Sequence, residues 1–428
     1  MKSIHSIFLA LCILACQTTH AIEPQVSAGR YQNLAVTSDG EVYAWSGANP
    51  PTIVKGMRPI VAVAAGVHHN VALAENGFIY EWGNSPYQGL QYFIEHPSLD
   101  ACEKARAASP RTGQDPDPCA KEEKEREESA KLEKPMRIPG VLPTKAVAVA
   151  DGVTVILARN GEVYCWSHDQ LPQRIPGLEN IKSISLGAAH GVALREDGAV
   201  LTWGSNDNGE LGHPAANPQD QKAAICANFN VQVAMEHAVA IGTGVSSSFA
   251  LQPNGAIWGW GMNTFHRTAT PPSYDAPRRI GTMSAAAELV GGVQHLMART
   301  ADGKVFAWGR NSNFAIAQDD SKPIVANPVD LAPLDNVAQL SSYDRTIALT
   351  RDGYLCAWGN NANGEALWDS KLHAIPAPTP IVLADHTTPF NLYTGKQAHA
   401  EAAHICGVEN WHDRYTAWLD ADRLQNKK

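Results

Sequence analysis

Past its first two dozen residues the chain has no apolar run long enough to cross a bilayer as a helix. It is also short of positive charge. The 34 Lys and Arg stand against 43 Asp and Glu, for a net charge of −9. Without a basic stripe there is no footprint for nucleic acid. Enzyme signatures are missing too: no GxSxG, no HExxH, no phosphate loop and no dinucleotide-binding glycine run after a strand. Its carboxylates sit mostly in turns, and no pair stands out as an acid–base couple. Neither CxxC nor a Cys/His zinc spacing occurs, and His399, His404, Cys406 and His412 follow no standard ligand pattern. The expectation is therefore a protein that is not an enzyme, with no cofactor and no metal.

What the chain does have is one hairpin, repeated. In Val192–Gly204 an Asp197-Gly198 pair separates two alternating apolar runs. Matching pairs end at Gly40, Gly77, Gly161, Gly198, Gly255, Gly303 and Gly353, each five residues before a tryptophan. Those tryptophans are Trp45, Trp82, Trp166, Trp203, Trp260, Trp308 and Trp358. An aliphatic residue follows each turn glycine by two positions. Alanine precedes it by five in six copies, with Ile156 in the remaining one. Seven copies in fixed register define the architecture before any other feature is read.

A two-residue type I′ turn at Asp39-Gly40 predicts that Val36 faces Tyr43 and Leu34 faces Trp45, with Ala35, Val42 and Ala44 on the other side. Each hairpin then has a bulky face and a small face, and one copy's Trp and Tyr cover the next copy's Ala. A ring closes such a stack without exposed faces, which is the logic of a β-propeller.

The run Gly187-Ala-Ala-His190-Gly-Val-Ala-Leu194-Arg-Glu-Asp-Gly198-Ala-Val-Leu-Thr-Trp203-Gly204-Ser-Asn206-Asp-Asn-Gly209-Glu-Leu-Gly212 resembles the regulator of chromosome condensation repeat. The resemblance covers most of the chain. It implies an all-β fold, a seven-bladed β-propeller with about four strands per blade. It also brings two functions into view: nucleotide exchange on a small GTPase, as in the founding member, and enzyme inhibition, as in some exported relatives. No motif here matches an exchange or inhibitory residue, and a propeller is a platform shared by many functions.

Residues 1–21 read as a secretory signal, with Lys2, an apolar core from Ile7 to Ala15, and Thr19-His20-Ala21 before the cut. Lipidation at Cys16 is the alternative. The mature propeller, 22–428, is then periplasmic or extracellular, and is expected to be a monomer. Six cysteines remain. Cys102 and Cys119 are the favoured disulfide pair, while Cys165 and Cys356, inside strands, read as buried filler.

Between Trp82 and Trp166 the spacing stretches, and residues 85–140 change composition to charged helix-formers with i,i+4 pairs such as Glu122–Arg126. This predicts a helical insertion between blades two and three, serving either as a solvated excursion or as a docking arm. Histidine recurs as His69, His190 and His295, three residues after a glycine. A residue needed in several blades reads as a structural hydrogen-bonding group. The candidate partner-binding residues are the bulky departures in the Asn/Gly-rich loops after the tryptophans: Tyr87, Phe265, His266, Arg267, Arg310, Phe314 and Trp368. Residues 387–428 lose the pattern and read as a degenerate closing or capping segment. Closure is expected from strands of both termini sharing one blade, with Gln25 to Ala28 as the N-terminal contribution. The function expected is an exported scaffold that binds a protein through its loop face.

Overall fold

The structure is a computed structural model that describes residues 22–47, 49–57, 59–83, 135–138, 143–167, 171–214, 224–227, 229–263, 273–317, 321–368, 372–386, 388–394 and 404–409. Signal residues 1–21, Cys102, Cys119 and the charged run of the insertion lie outside that set.

Seven antiparallel sheets of four strands follow one another in chain order. Blade one is Gln25–Ala28, Asn33–Val36, Val42–Ser46 and Asn49–Ile53. Blade four is Ile181–Leu186, His190–Arg195, Val200–Gly204 and Gln232–Met235. Blade seven is Val337–Ser342, Arg345–Thr350, Leu355–Asn360 and Ala374–Pro380. The repeat therefore marks the second and third strands of each blade, and the fold is the all-β, seven-bladed propeller.

The turn differs from the expected one. Gly40 donates its N–H to Thr37 O (2.9 Å), and only the glycine has positive φ, +83° at Gly40 and +88° at Gly198. This is a four-residue type I turn ending on a left-handed glycine, not type I′. The register moves by one: Asn33 pairs with Trp45, Ala35 with Tyr43, and Leu34 with Ala44. Paired residues share a face, so the repeated alanine stands beside its own blade's large rings, as Ala72 does beside Tyr80 and Ala298 beside Phe306.

The tryptophan accordingly packs on its neighbour's branched aliphatics rather than on its alanine. Trp82 lies in one cluster with Leu34, Val36 and Val42 of blade one. Trp166 meets Val71, Leu73 and Ile79, Trp203 meets Val155, Leu157 and Val163, and Trp260 meets Val192, Leu194 and Val200. Trp45 completes the circle against Ile347, Leu349 and Leu355 of blade seven. All seven rings are buried, Trp82 being the most exposed at 4%. Removing about 150–250 Å² of ring from water stabilises by roughly 4–6 kcal/mol at 25 cal/mol per Å².

Each turn also staples to the next blade. Gly40 O accepts from Ile60 N, Gly198 O from Ala238 N and Gly255 O from Met283 N. After blade seven the acceptor Gly353 O is met by Leu392 N, so residues 388–394 take the place of an entering blade. The segment then crosses to blade one, where Ser38 N donates to Leu392 O (2.9 Å) and Phe390 packs on Tyr43 at 4.9 Å. Among the described residues no blade mixes strands from the two ends, contrary to expectation, because Gln25–Ala28 begins a complete blade one.

Ring closure rests on side chains. Buried Arg345 donates to Gly29 O (2.7 Å), Arg30 O (3.1 Å) and Asn33 Oδ1 (2.8 Å), while Asn33 Nδ2 donates to Glu365 O. A disulfide joins Cys356 of blade seven to Cys406. Cys356 is thus a cross-link and not filler, and Cys165 is a buried free thiol. The insertion is also relocated. It leaves after Gly83 and returns at Pro135, inside blade two, where Met136–Arg137 forms the fourth strand. It does not sit between blades two and three.

Candidate functional site

A four-stranded meander puts its first-to-second and third-to-fourth connections at one end, and its second-to-third turns at the other. The Asp-Gly turns and blade-to-blade links share the second face. The first face carries the short inner loops, the long post-tryptophan loops and the root of the insertion.

The inner loops begin at Gly29, Gly66, Ala150, Gly187, Gly244, Gly292 and Ser342. A repeating lock holds them. The His190 ring shares a hydrogen bond with Ser248 of blade five (3.0 Å), His69 with Thr154 (3.1 Å) and His295 with Ser342 (2.8 Å). Arg345 occupies this same slot in blade seven. The glycine three residues earlier is required because a Cβ on Gly187 or Gly292 would stand 2.1 Å from the histidine ring. Burial lowers His190 and His295 to about 4, so both rings are neutral at physiological pH. These histidines are structural.

The two residues after each loop's first position carry the variation. Blades four and five offer Ala188-Ala189 and Val245-Ser246. Blades seven, one and two offer Tyr343-Asp344, Arg30-Tyr31 and Val67-His68. Tyr31 is 43% exposed, with the Arg30 guanidinium 5.1 Å from its ring centre and His68 at 5.6 Å. Burial raises the Tyr343 phenol, which leaves it a neutral hydrogen-bonding group.

Two grooves meet at Arg30-Tyr31. One, of about 750 Å³, runs between blades one and two past Tyr31, His68, Asn49, Pro50 and Gly83 to Pro135, the return point of the insertion. The other, of about 370 Å³, runs between blades six and seven past Arg30, Gln294, Arg310, Tyr343 and Asp344. A central channel of about 520 Å³ opens beside them, lined by small residues such as Ala28, Ala64, Ala148 and Ser185, with Arg30, Asp151 and Tyr343 among its lining. Among the described residues no group of three His, Cys, Asp or Glu is placed to hold a metal ion.

Of the residues singled out in the sequence, Arg310 lies in the second groove, exposed, with Nη1 donating to Gln294 Oε1 (3.1 Å). Phe314 ends the 3-10 turn Ser312–Phe314, half-buried and at positive φ. Trp368 is turned inward: its indole N–H donates to Val382 O (2.9 Å) and its ring packs on His386. Tyr87, Phe265, His266 and Arg267 lie outside the described residues. Two Asn/Gly loops are inter-blade staples: Glu210 O accepts from both Ser248 Oγ and the Trp260 indole, and Glu365 O from Asn33 Nδ2. Arg30, Tyr31, His68, Tyr343 and Asp344 were missed. A register-by-register comparison of inner loops finds Arg30 and Tyr343 where other copies keep Val67, Ala188, Val245 and Val293; the following slot, with Tyr31, His68 and Asp344, has no common residue.

This chain matches the RCC1-like domain over residues 49–400. It belongs to that family. As an RCC1-like propeller it is similar in structure to Prp20p of Saccharomyces cerevisiae, a protein with binding properties to Gsp1p and histones. The TM-score is 0.62 at 16% identity, over 86% of this chain and 87% of that one. Yeast RCC1 (Prp20), in a structure with Kap60 bound to it, gives 0.61 at 17% identity over 90% and 92%. Human WBSCR16 gives 0.56 at 13% identity over 75% and 85%. Identities this low carry the fold alone. A comparison with curated proteins found no match. No helix among the described residues is long and apolar enough to cross a membrane.

Proposed function

We propose that this RCC1-like chain is an exported, monomeric, non-enzymatic scaffold that docks a protein on its inner-loop face, centred on Arg30 and Tyr31. One observation carries the reading. Exposed Arg30, Tyr31 and His68 on the inner loops of blades one and two gather beside half-buried Tyr343 and Asp344 of blade seven, where two grooves meet and one runs to the root of the insertion. Tyr and Arg are the residue types that dominate protein interfaces, and the mixed charges of Arg30, Arg310, Asp151 and Asp344 suit a polar rim. The protein partners recorded for Prp20p and yeast RCC1 favour the same use of a propeller. Export is supported by the apolar leader and by the Cys356–Cys406 disulfide, which persists in oxidising compartments.

The test is capture from the envelope and medium of the native cell with wild-type protein and with an Arg30→Glu, Tyr31→Ala variant. A partner retained by the first and lost by the second is the expected result. Equal retention contradicts the site. Accelerated nucleotide release from a captured GTPase assigns the exchange reading instead.

A further inference from the structure

Cys165 lies on the third strand of blade three, Val163–Ser167, and Cys226 in the turn 224–227 of the long loop of blade four. Both are buried, at 0% and 3% exposure, in the one apolar cluster that fills the seam between these blades. Both are free thiols, and they stand within hydrogen-bonding reach of each other. Cys226 is fixed there. Ala227 N donates to Ala224 O (3.0 Å), and Ile225 packs in the same seam with Ile175 and Leu178.

We infer that Cys165 and Cys226 form a second disulfide, an oxidation site that ties the long loop of blade four to blade three. Two buried thiols that share one apolar seam and hydrogen-bond each other are placed as the partners of a disulfide. The reaction takes a small-molecule disulfide as oxidant. One cysteine thiolate attacks its S–S bond, forming a mixed disulfide and releasing one thiolate. The second cysteine, losing its proton, attacks the mixed disulfide and releases the other. Two cysteine thiols are oxidised and one oxidant disulfide is reduced to two thiols. The facing Cys165 thiol, and then burial, raise the Cys226 thiol far above its ordinary range. Little Cys226 thiolate exists once the seam is packed, and the seam also shuts out the oxidant, so the exchange belongs to folding.

The full chain, reduced and denatured, is refolded in glutathione buffer rich in oxidised glutathione, blocked with N-ethylmaleimide in denaturant, and digested without reductant. The expected map holds a peptide pair joining Cys165 to Cys226 that separates on reduction, beside the Cys356–Cys406 pair. Recovery of Cys165 and Cys226 as maleimide adducts, with Cys356 and Cys406 linked, overturns the inference. So does a link from either to any other cysteine. As a second readout, Cys226→Ala should lower the melting temperature more in oxidising than in reducing buffer. An equal drop in both means that the thiol only fills space. Neither outcome bears on the docking face.

Discussion

His190 and His295 show how a single repeated side chain sets a property of the whole. Each has a folded pKa of about 4, against about 6.5 in an unfolded chain. As pH falls from 6.5 towards 4 the unfolded state takes up protons that the buried rings refuse. Stability is therefore full above that window and is lost within it, on the order of 3 kcal/mol per histidine. Urea midpoints at pH 7.5 and 4.5 should fall steeply for the wild type and less for a His190→Gln, His295→Gln variant. Parallel slopes would contradict the neutral-ring account. Trp203→Ala should cost about 3–5 kcal/mol by equilibrium unfolding, because the ring lies between Gly191 and the aliphatics of blade three. The Gly-x-x-His spacing and the structural role of the histidine were legible in sequence. The partners Ser248 and Ser342 were not, since they come from the next blade, roughly fifty residues on.

At the scale of the hairpin, the repeat located every strand pair but misread the turn. An Asp-Gly pair fits either a type I′ turn or a type I turn ending on a left-handed glycine. Local side chains select the second. Thr37 Oγ1 accepts from Glu41 N (3.0 Å) in one copy, and Asp197 Oδ1 from Ala199 N (3.1 Å) in another. That one-residue difference moved alanine to the tryptophan's face and reassigned what each ring touches. Gly56 and Gly255 separate the two costs of losing the glycine. Both have positive φ, at +94° and +79°, but a Cβ on Gly56 meets nothing within 4 Å, while one on Gly255 stands 2.5 Å from Met283 O. Gly56→Ala should cost about 1–2 kcal/mol, the left-handed penalty alone. Gly255→Ala should cost clearly more, since it pushes on the entry to blade six. Equal losses in thermal unfolding would mean that the turn does not bear on its neighbour. Inner loops were the least legible elements. Arg30 and Tyr343 depart from the Ala or Val of most copies of their slot, and a turn-centred reading passes over them in favour of Trp368, which packs inward.

Across the whole molecule, six junctions between consecutive blades leave a seventh that must be closed by other means. Arg345 in the histidine slot and the crossing at Ser38 and Leu392 act at the junction of blades seven and one, while the Cys356–Cys406 bond ties the C-terminal segment to blade seven, where Gly407 lies against Pro333 and Leu334 of the link from blade six. The repeat count announced a ring. It did not announce this closure, because residues 387–428 hold no Asp-Gly or Asn-Gly pair set before a tryptophan. Arg345→Met should cost about 3–5 kcal/mol, the usual loss when one partner of a buried charged network is removed. The bond closes a loop with a sequence separation of 50, and Cys406→Ser should cost about 2–4 kcal/mol in oxidising buffer. Calorimetry of the two variants checks both figures, and an unchanged melting temperature would remove Arg345 from the closure or the disulfide from the fold's stability. The same junction presents Arg30 and Tyr31 to solvent, so the seam that completes the ring is also the proposed docking centre. The most direct test places a photo-cross-linking amino acid at Tyr31, on the inner-loop face, or at Val239, exposed in a blade-to-blade link on the opposite face, in the native cell. The account predicts a discrete adduct with a second protein from position 31 and none from 239. Adducts from 239 alone, or equal labelling from both, would contradict it.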